Sequence, residues 1–310
     1  MAINMKGKDL ISIADLSIEE IYEIFDVAKS LKQKLYTNEP HRYLEGKTLG
    51  MIFTKRSTRT RISFETGIYQ LGGLGMYFGP NDLQLGVSES IADTARVLSR
   101  YLNGIMIRTF AHSDVVELAK YATIPVINGL TDLLHPCQAL TDLFTILEKK
   151  RKLQGLKLAY IGDGNNVAHS LLNGCSKVGM DISIASPAGY KPNKEIVNRA
   201  MKFASYMGSK IEILDDPVEA VKNADVVYTD VWASMGQESE AAERKIKFAS
   251  YQVNPQLVKH AKDDYLFMHC LPAHRGEEVV DEVADSSNSV IFDEAENRLH
   301  VQKAIMALVM

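Results

Sequence analysis

Leu49-Gly50-Met51-Ile52-Phe53 runs, after Thr54, straight into Lys55-Arg56-Ser57-Thr58-Arg59-Thr60-Arg61. A short apolar run ending at a hydroxyl-rich helix start reads as a buried strand followed by a helix over 58–71. Outward from this junction, apolar runs at 75–78, 105–107 and 125–127 read as further strands, separated by helical patterns around 88–101, 113–122 and 137–149. Such alternation makes a parallel sheet with helices on both faces. The rhythm restarts at 156–161 and continues through 182–185, 211–214, 226–228, 266–268 and 290–292. The expected fold is therefore α/β with two domains, each a parallel sheet flanked by helices. Their boundary is expected near the charged segment Glu148-Lys149-Lys150-Arg151-Lys152, which gives a first domain over 1–150 and a second over 151–293. Upstream, Ser17-Ile18-Glu19-Glu20 has capping-box form, and Ile18, Ile21, Ile24, Phe25, Ala28 and Leu31 follow at helical spacing. At the other end, Phe292-Asp293-Glu294-Ala295-Glu296 opens a last helix to Met310.

Composition narrows the function classes. With 310 residues, 35 Lys plus Arg against 39 Asp plus Glu and a formal charge of −4, the chain carries no general basic surface for nucleic acid or anionic membranes. Any affinity for anions has to be local. Three scattered cysteines, Cys137, Cys175 and Cys270, form neither a disulfide framework nor an all-cysteine zinc site and point to a reducing compartment. No stretch of 18 apolar residues occurs, and the first residues lack a signal-peptide core, so a cytoplasmic protein is expected.

In open α/β sheets, ligands bind at the carboxyl ends of strands. Lys55 to Arg61 crowds four cations at the positive end of a helix dipole, an arrangement that costs energy unless an anion is present. Ser57 as a cap, two further hydroxyls, Arg59 and the first-turn N–H groups together suit a phosphate. The plainer reading is a solvated basic turn capped by Ser57. His135-Pro136-Cys137-Gln138 follows the strand at 125–127, with Pro136 at the first helical position, and Arg108 ends the strand at 105–107. Gly162-Asp163-Gly164-Asn165-Asn166 begins like a dinucleotide fingerprint but has Val167 where the third glycine belongs. It reads either as a tight turn, with Gly164 at positive φ and an Asn capping, or as a ligand-binding Asn. No phosphate-loop Gly-x-x-x-x-Gly-Lys pattern is present. Asp230 to Gly236 forms a polar strand end that could hold an ammonium group. His269-Cys270-Leu271-Pro272 could place a reactive thiol or an inert buried one, and His269, Cys270 and the nearby His274 lack the four ligands in recognisable pairs that a structural zinc site needs.

Taken together and in this order, the motifs resemble those of the aspartate/ornithine carbamoyltransferases, and Ser234-Met235-Gly236 resembles the members that use ornithine. The resemblance covers essentially the whole chain. It implies an enzyme whose active site lies in the cleft between its domains. It also implies transfer of a carbamoyl group from carbamoyl phosphate to the δ-amine of L-ornithine, giving L-citrulline and phosphate, with neither cofactor nor metal. By the same resemblance Ser57, Thr58, Arg59 and Thr60 bind the phosphate. Arg108, His135, Pro136, Cys137 and Gln138 grip the rest of that substrate, with Arg298 from the last helix, which returns over about 294–310 to the first domain. Asn166, Asp230, Ser234 and Met235 hold the amino-acid end of ornithine, Asn166 being preferred to Asn165 by its spacing. Cys270 and Leu271 flank the reacting groups, so that Arg108, His135 and Cys270 are the implied catalytic residues. Gln84 matches a residue that reaches into a neighbouring subunit's site, which implies a homotrimer or a multiple of one. Two rivals remain: a non-catalytic sensor of a phosphate ligand, and a carbamoyltransferase for another amine.

Overall fold

The computed structural model describes residues 3–83, 88–233 and 238–310. Its chain divides into two compact units, Met1–Thr141 with Glu296–Met310, and Asp142–Ala295. The division falls inside the helix Pro136–Lys150, between Thr141 and Asp142, and the charged segment 148–152 lies at the end of that same helix.

The first unit holds a parallel sheet of four strands in the order β2-β1-β3-β4: β1 (Thr48–Phe53), β2 (Leu74–Phe78), β3 (Gly104–Arg108) and β4 (Val126–Leu130). Side chains alternate across a strand. Ile52, Ile105 and Ile107 accordingly pack on one face with Leu98, Val115 and Leu118, while Met51 and Met106 between them are buried as well. Burial of both faces is what makes β1 and the body of β3 apolar, whereas the edge strand β2 is partly exposed. The segment before the first long helix lies along β4, with Leu10 N–H donating to Val126 and Asn128 N–H donating to Leu10. That helix, Ile18–Tyr36, starts with the predicted capping box: Ser17 Oγ accepts from Glu20 N–H at 3.2 Å, and Glu20 Oε2 accepts from Ser17 N–H at 2.7 Å. Such a cap contributes about 1 kcal/mol.

The second unit holds five parallel strands in the order β7-β6-β5-β8-β9: β5 (Lys157–Ile161), β6 (Asp181–Ala185), β7 (Ile211–Leu214), β8 (Val226–Thr229) and β9 (Leu266–His269). Its core includes Ile161, Val227, Phe248 and Phe267. The strand expected at 290–292 is absent: Val290 N–H makes one bond to Phe267 along the outer edge of β9, and the chain then turns into the last helix, Ile291–Val309. Three apolar residues are too few for periodicity to separate a strand from a helix start.

Both strand orders reverse direction once. In the first sheet the reversal lies between β1 and β3, and in the second between β5 and β8. At such switch points the loops leave to opposite faces and open a crevice at the carboxyl ends of the strands.

Candidate active site

At the switch point of the first sheet, β1 is followed by the helix Arg59–Gln70. Its N-cap is Thr58, in helical conformation and with no side-chain cap bond, so the expected cap from Ser57 does not form. The first turn also carries no acidic residue. Of the four cations, Lys55 stacks on the Phe110 ring at 3.5 Å, while Arg61 lies 3.8 Å from the Tyr77 ring and pairs with Glu65. These two satisfy their charge locally. Ser57 and Arg59 are half-buried beside the uncapped turn, and Thr58 is exposed.

Thr60 is the hub beneath them. Its buried Oγ1 accepts from Arg298 Nη2 at 2.8 Å and faces Arg108 Nη1 at 3.3 Å, while Arg298 Nη1 donates to Gln138 Oε1 at 2.9 Å. Residues 238 positions apart are thereby joined. Arg108 ends β3 where the pairing with β4 shifts register, a bulge of the kind that re-aims a side chain next to a site. His135 precedes Pro136, which does start its helix, as the sequence predicts. Burial, with Arg298, Arg108 and Arg59 nearby, holds the His135 imidazole well below its usual range and therefore neutral. A neutral ring among three guanidiniums can still donate one hydrogen bond without adding charge. Cys137 turns its buried thiol to the Asn128 carbonyl at 3.4 Å, and burial pushes that thiol up to about 12, so it is an inert core group. The first unit thus gathers Ser57, Thr58, Arg59, Thr60, Arg108, His135, Gln138 and Arg298 at one sheet end.

The second switch point joins the ends of β5, β8 and β9. Asn165, not Asn166, caps the helix Asn166–Val178: its Oδ1 accepts from Val167 N–H at 3.0 Å and Ala168 N–H at 3.2 Å. Its Nδ2 donates to Asp230 Oδ2 at 2.7 Å. Asn165 is thus committed to the cap and to Asp230, and Asn166 beside it is half-buried. Positive φ falls on Gly162, not on Gly164 as expected; Gly164 is required because a Cβ there would lie 2.3 Å from Pro192 N.

Asp230 is buried, and its Oδ1 accepts from Val231 N–H at 2.8 Å and from the Cys270 thiol at 3.0 Å. Burial and then the Asp230 carboxylate push the Cys270 thiol well above its usual range, so it rests protonated, as a donor. Leu271 has left-handed φ of 58°, and its N–H donates to His269 Nδ1 at 2.9 Å. That bond leaves the His269 proton on Nε2, facing the buried Glu278 Oε1 at 3.0 Å. Glu278 also accepts from His274 N–H at 2.6 Å, so one carboxylate ties the turn that carries Cys270 and Leu271. The sequence held no signal for this tie, which spans nine positions and depends on a tautomer. Asp230, His269 and Cys270 bring ligand atoms within 4.8 Å of one another. Both His269 ring nitrogens are already used, however, so the trio does not fit a metal ion. Gln84, Ser234 and Met235 lie outside the described residues.

Two family models match the chain. The carbamoyl-phosphate-binding domain of aspartate/ornithine carbamoyltransferase matches residues 8–148, and the Asp/Orn-binding domain matches residues 154–309. Ornithine carbamoyltransferase of Thermococcus kodakarensis is 61% identical over 310 residues, covering 100% of this chain and 98% of that protein. The Pyrococcus furiosus protein, described as the anabolic enzyme, is 58% identical with the same coverage. The solved structure of ornithine carbamoyltransferase from that organism superposes with a TM-score of 0.97 over 99% of this chain and 98% of its own. One from Gloeobacter violaceus, 46% identical, has a TM-score of 0.88 and covers 99% of this chain and 100% of its own. With both of its sheets matched and relatives aligned from end to end, the chain belongs to the aspartate/ornithine carbamoyltransferase family.

Proposed function

We propose that the protein is an ornithine carbamoyltransferase, forming L-citrulline and phosphate from L-ornithine and carbamoyl phosphate. The observation that carries this reading is the convergence of Thr60, Arg108, Gln138 and Arg298 beneath an uncapped helix start, with a neutral His135 beside them. Arg59, Ser57, Thr58 and the first-turn N–H groups take the phosphate. Arg108, His135 and Gln138 take the carbamoyl oxygen and amide, where donors stabilise the charge that develops in transfer. Pro136 sets the helix entry, and Cys137 contributes through its backbone.

Carbamoyl phosphate is already activated, so alignment and charge stabilisation suffice and no cofactor is needed. The amine is the difficulty: an alkylammonium with a pKa near 10.4 costs roughly 4–5 kcal/mol to present as free amine at pH 7. Asp230 as an anion would stabilise the ammonium, so its part is to orient Cys270, whose thiol it accepts, together with the amino-acid end of ornithine. Asn166, with Ser234 and Met235, holds the rest of that end, Cys270 and Leu271 flank the amine, and the departing phosphate takes the proton. Gln84 completes a neighbour's site in a homotrimer or multiple of one. Tyr69, Leu74 and Met76, on and beside the outer strand β2, offer the exposed apolar surface for that assembly. The anabolic description of the Pyrococcus furiosus relative favours citrulline synthesis, in the cytoplasm, as the working direction.

One assay tests the reading. Carbamoyl phosphate is offered with ornithine, putrescine, aspartate or acetylornithine, and the carbamoylated product is measured. Citrulline as the main product is expected; another product would move the protein to a different amine, and none with any amine would leave a phosphate-ligand sensor.

A further inference from the structure

Beneath the ends of β8 and β9 lies a carboxylate that neither motif reading nor substrate assignment uses. Glu294, in the first turn of the last helix, is fully buried. β9 is the outermost strand of its sheet, so alternate N–H groups along it have no strand to receive them. Phe267 N–H is taken by the Asn288 carbonyl, and His269 N–H, one pleat further, by Glu294 Oε2 at 3.0 Å. Glu294 Oε1 receives the Tyr228 hydroxyl of β8 at 3.3 Å. The side chain thus bonds to both strands, one residue before Cys270 on β9 and two before Asp230 on β8. These are the two residues whose side chains meet at 3.0 Å. Glu294 is itself hydrogen-bonded to the buried Asp142. Asp142 is the first residue of this unit and Glu294 stands next to its last, so the clamp sits where the chain enters and leaves it.

We infer that Glu294, braced by Asp142, is a positioning residue for the reaction: by bonding His269 N–H and the Tyr228 hydroxyl it fixes the separation of Cys270 and Asp230. The inference rests on the proposed roles of those two residues. Two buried carboxyls in hydrogen-bond contact share a proton, so the clamp needs reach and an acceptor oxygen rather than a full negative charge.

Glu294→Asp and Glu294→Gln separate these requirements. Aspartate keeps the carboxyl but withdraws it by one methylene, about 1.5 Å; glutamine keeps the reach and the acceptor oxygen for His269 N–H, and its amide can donate to Asp142 and to the Tyr228 hydroxyl, which can turn from donor to acceptor. Two readouts are taken alongside the melting temperature: citrulline formation, and alkylation of Cys270 by iodoacetamide, to which the buried Cys137 and Cys175 contribute little. For Glu294→Asp, kcat should fall about tenfold or more with the KM for carbamoyl phosphate within about twofold, and the alkylation rate should change by about threefold or more. Glu294→Gln should stay within about threefold of the parent in both readouts. A folded Glu294→Asp protein that matches the parent in turnover and alkylation overturns the inference, as does a glutamine variant that loses as much as the aspartate one. If the parent itself makes no citrulline, the functional reading fails, while the alkylation series still decides the clamp.

Discussion

Replacing Asp230 by asparagine changes no heavy-atom volume of consequence, yet the hydrogen bonds around it leave no orientation that works. Asn165 cannot turn over, because its Oδ1 accepts from Val167 N–H, Ala168 N–H and the Tyr160 hydroxyl, which leaves its Nδ2 facing position 230 at 2.7 Å. If the new amide keeps its oxygen toward Val231 N–H and Cys270, its NH2 meets the Asn165 NH2, donor against donor. If it flips, the NH2 meets Val231 N–H. Each arrangement strands at least one buried donor, at about 1–3 kcal/mol. For a unit of this size that lowers the melting temperature by roughly 2–4 °C per kcal/mol, a drop of about 2–12 °C. The second effect is electrostatic. The Asp230 carboxylate is the largest cause after burial of the raised Cys270 thiol, so Asp230→Asn should bring that thiol down, though burial still keeps it above its ordinary value. Alkylation of Cys270 at pH 8 should accelerate even as turnover falls. Scanning calorimetry and a pH series of iodoacetamide reactivity measure the two effects. A variant that melts within about 1 °C of the parent and alkylates at the parent's rate would refute the Asn165–Asp230–Cys270 network as drawn.

Arg59→Ala removes a charge-assisted contact to the phosphate and should weaken carbamoyl phosphate by about 1.5–3 kcal/mol, roughly 10–150-fold, in titration calorimetry; undiminished affinity would remove Arg59 from the site. His135 is held neutral in the fold, so it favours the unfolded state as that state begins to bind a proton. Its contribution is complete above about pH 6.5 and is lost, at up to about 1.4 kcal/mol per pH unit, as the pH falls below that. The stability of the parent minus that of His135→Gln should therefore shrink on acidification, and a pH-independent difference would contradict a neutral imidazole. Gly164→Ala would force a Cβ against the Pro192 backbone and should cost about 1–3 kcal/mol in denaturant unfolding, whereas a neutral outcome would show that the 190–192 segment yields.

What the sequence discloses and what it withholds follow one physical line. Strands buried on both faces and helices with a single apolar stripe announce themselves through neighbours two to four positions away, so the two parallel sheets, the capping box at Ser17 and Pro136 at a helix start are all legible. The misreadings arise where one residue has several equally local options. A hydroxyl such as Ser57 can cap or remain available, either glycine of Gly162-Asp163-Gly164 can take positive φ, and three apolar residues at 290–292 can extend or coil. Wholly illegible are the pairings made by folding: Thr60 with Arg298, Asp230 with Cys270, His269 with Glu278, and Glu294 with two strands at once. Strand order supplies what motif reading lacks. The order β2-β1-β3-β4 puts the sole reversal of the first sheet between the strand that leads into Ser57–Thr60 and the strand that ends in Arg108. The order β7-β6-β5-β8-β9 does the same for the strands that lead into Asn166 and Asp230. Topology alone would therefore choose these two crevices as the ligand sites, independently of any resemblance, and the motif residues stand at both.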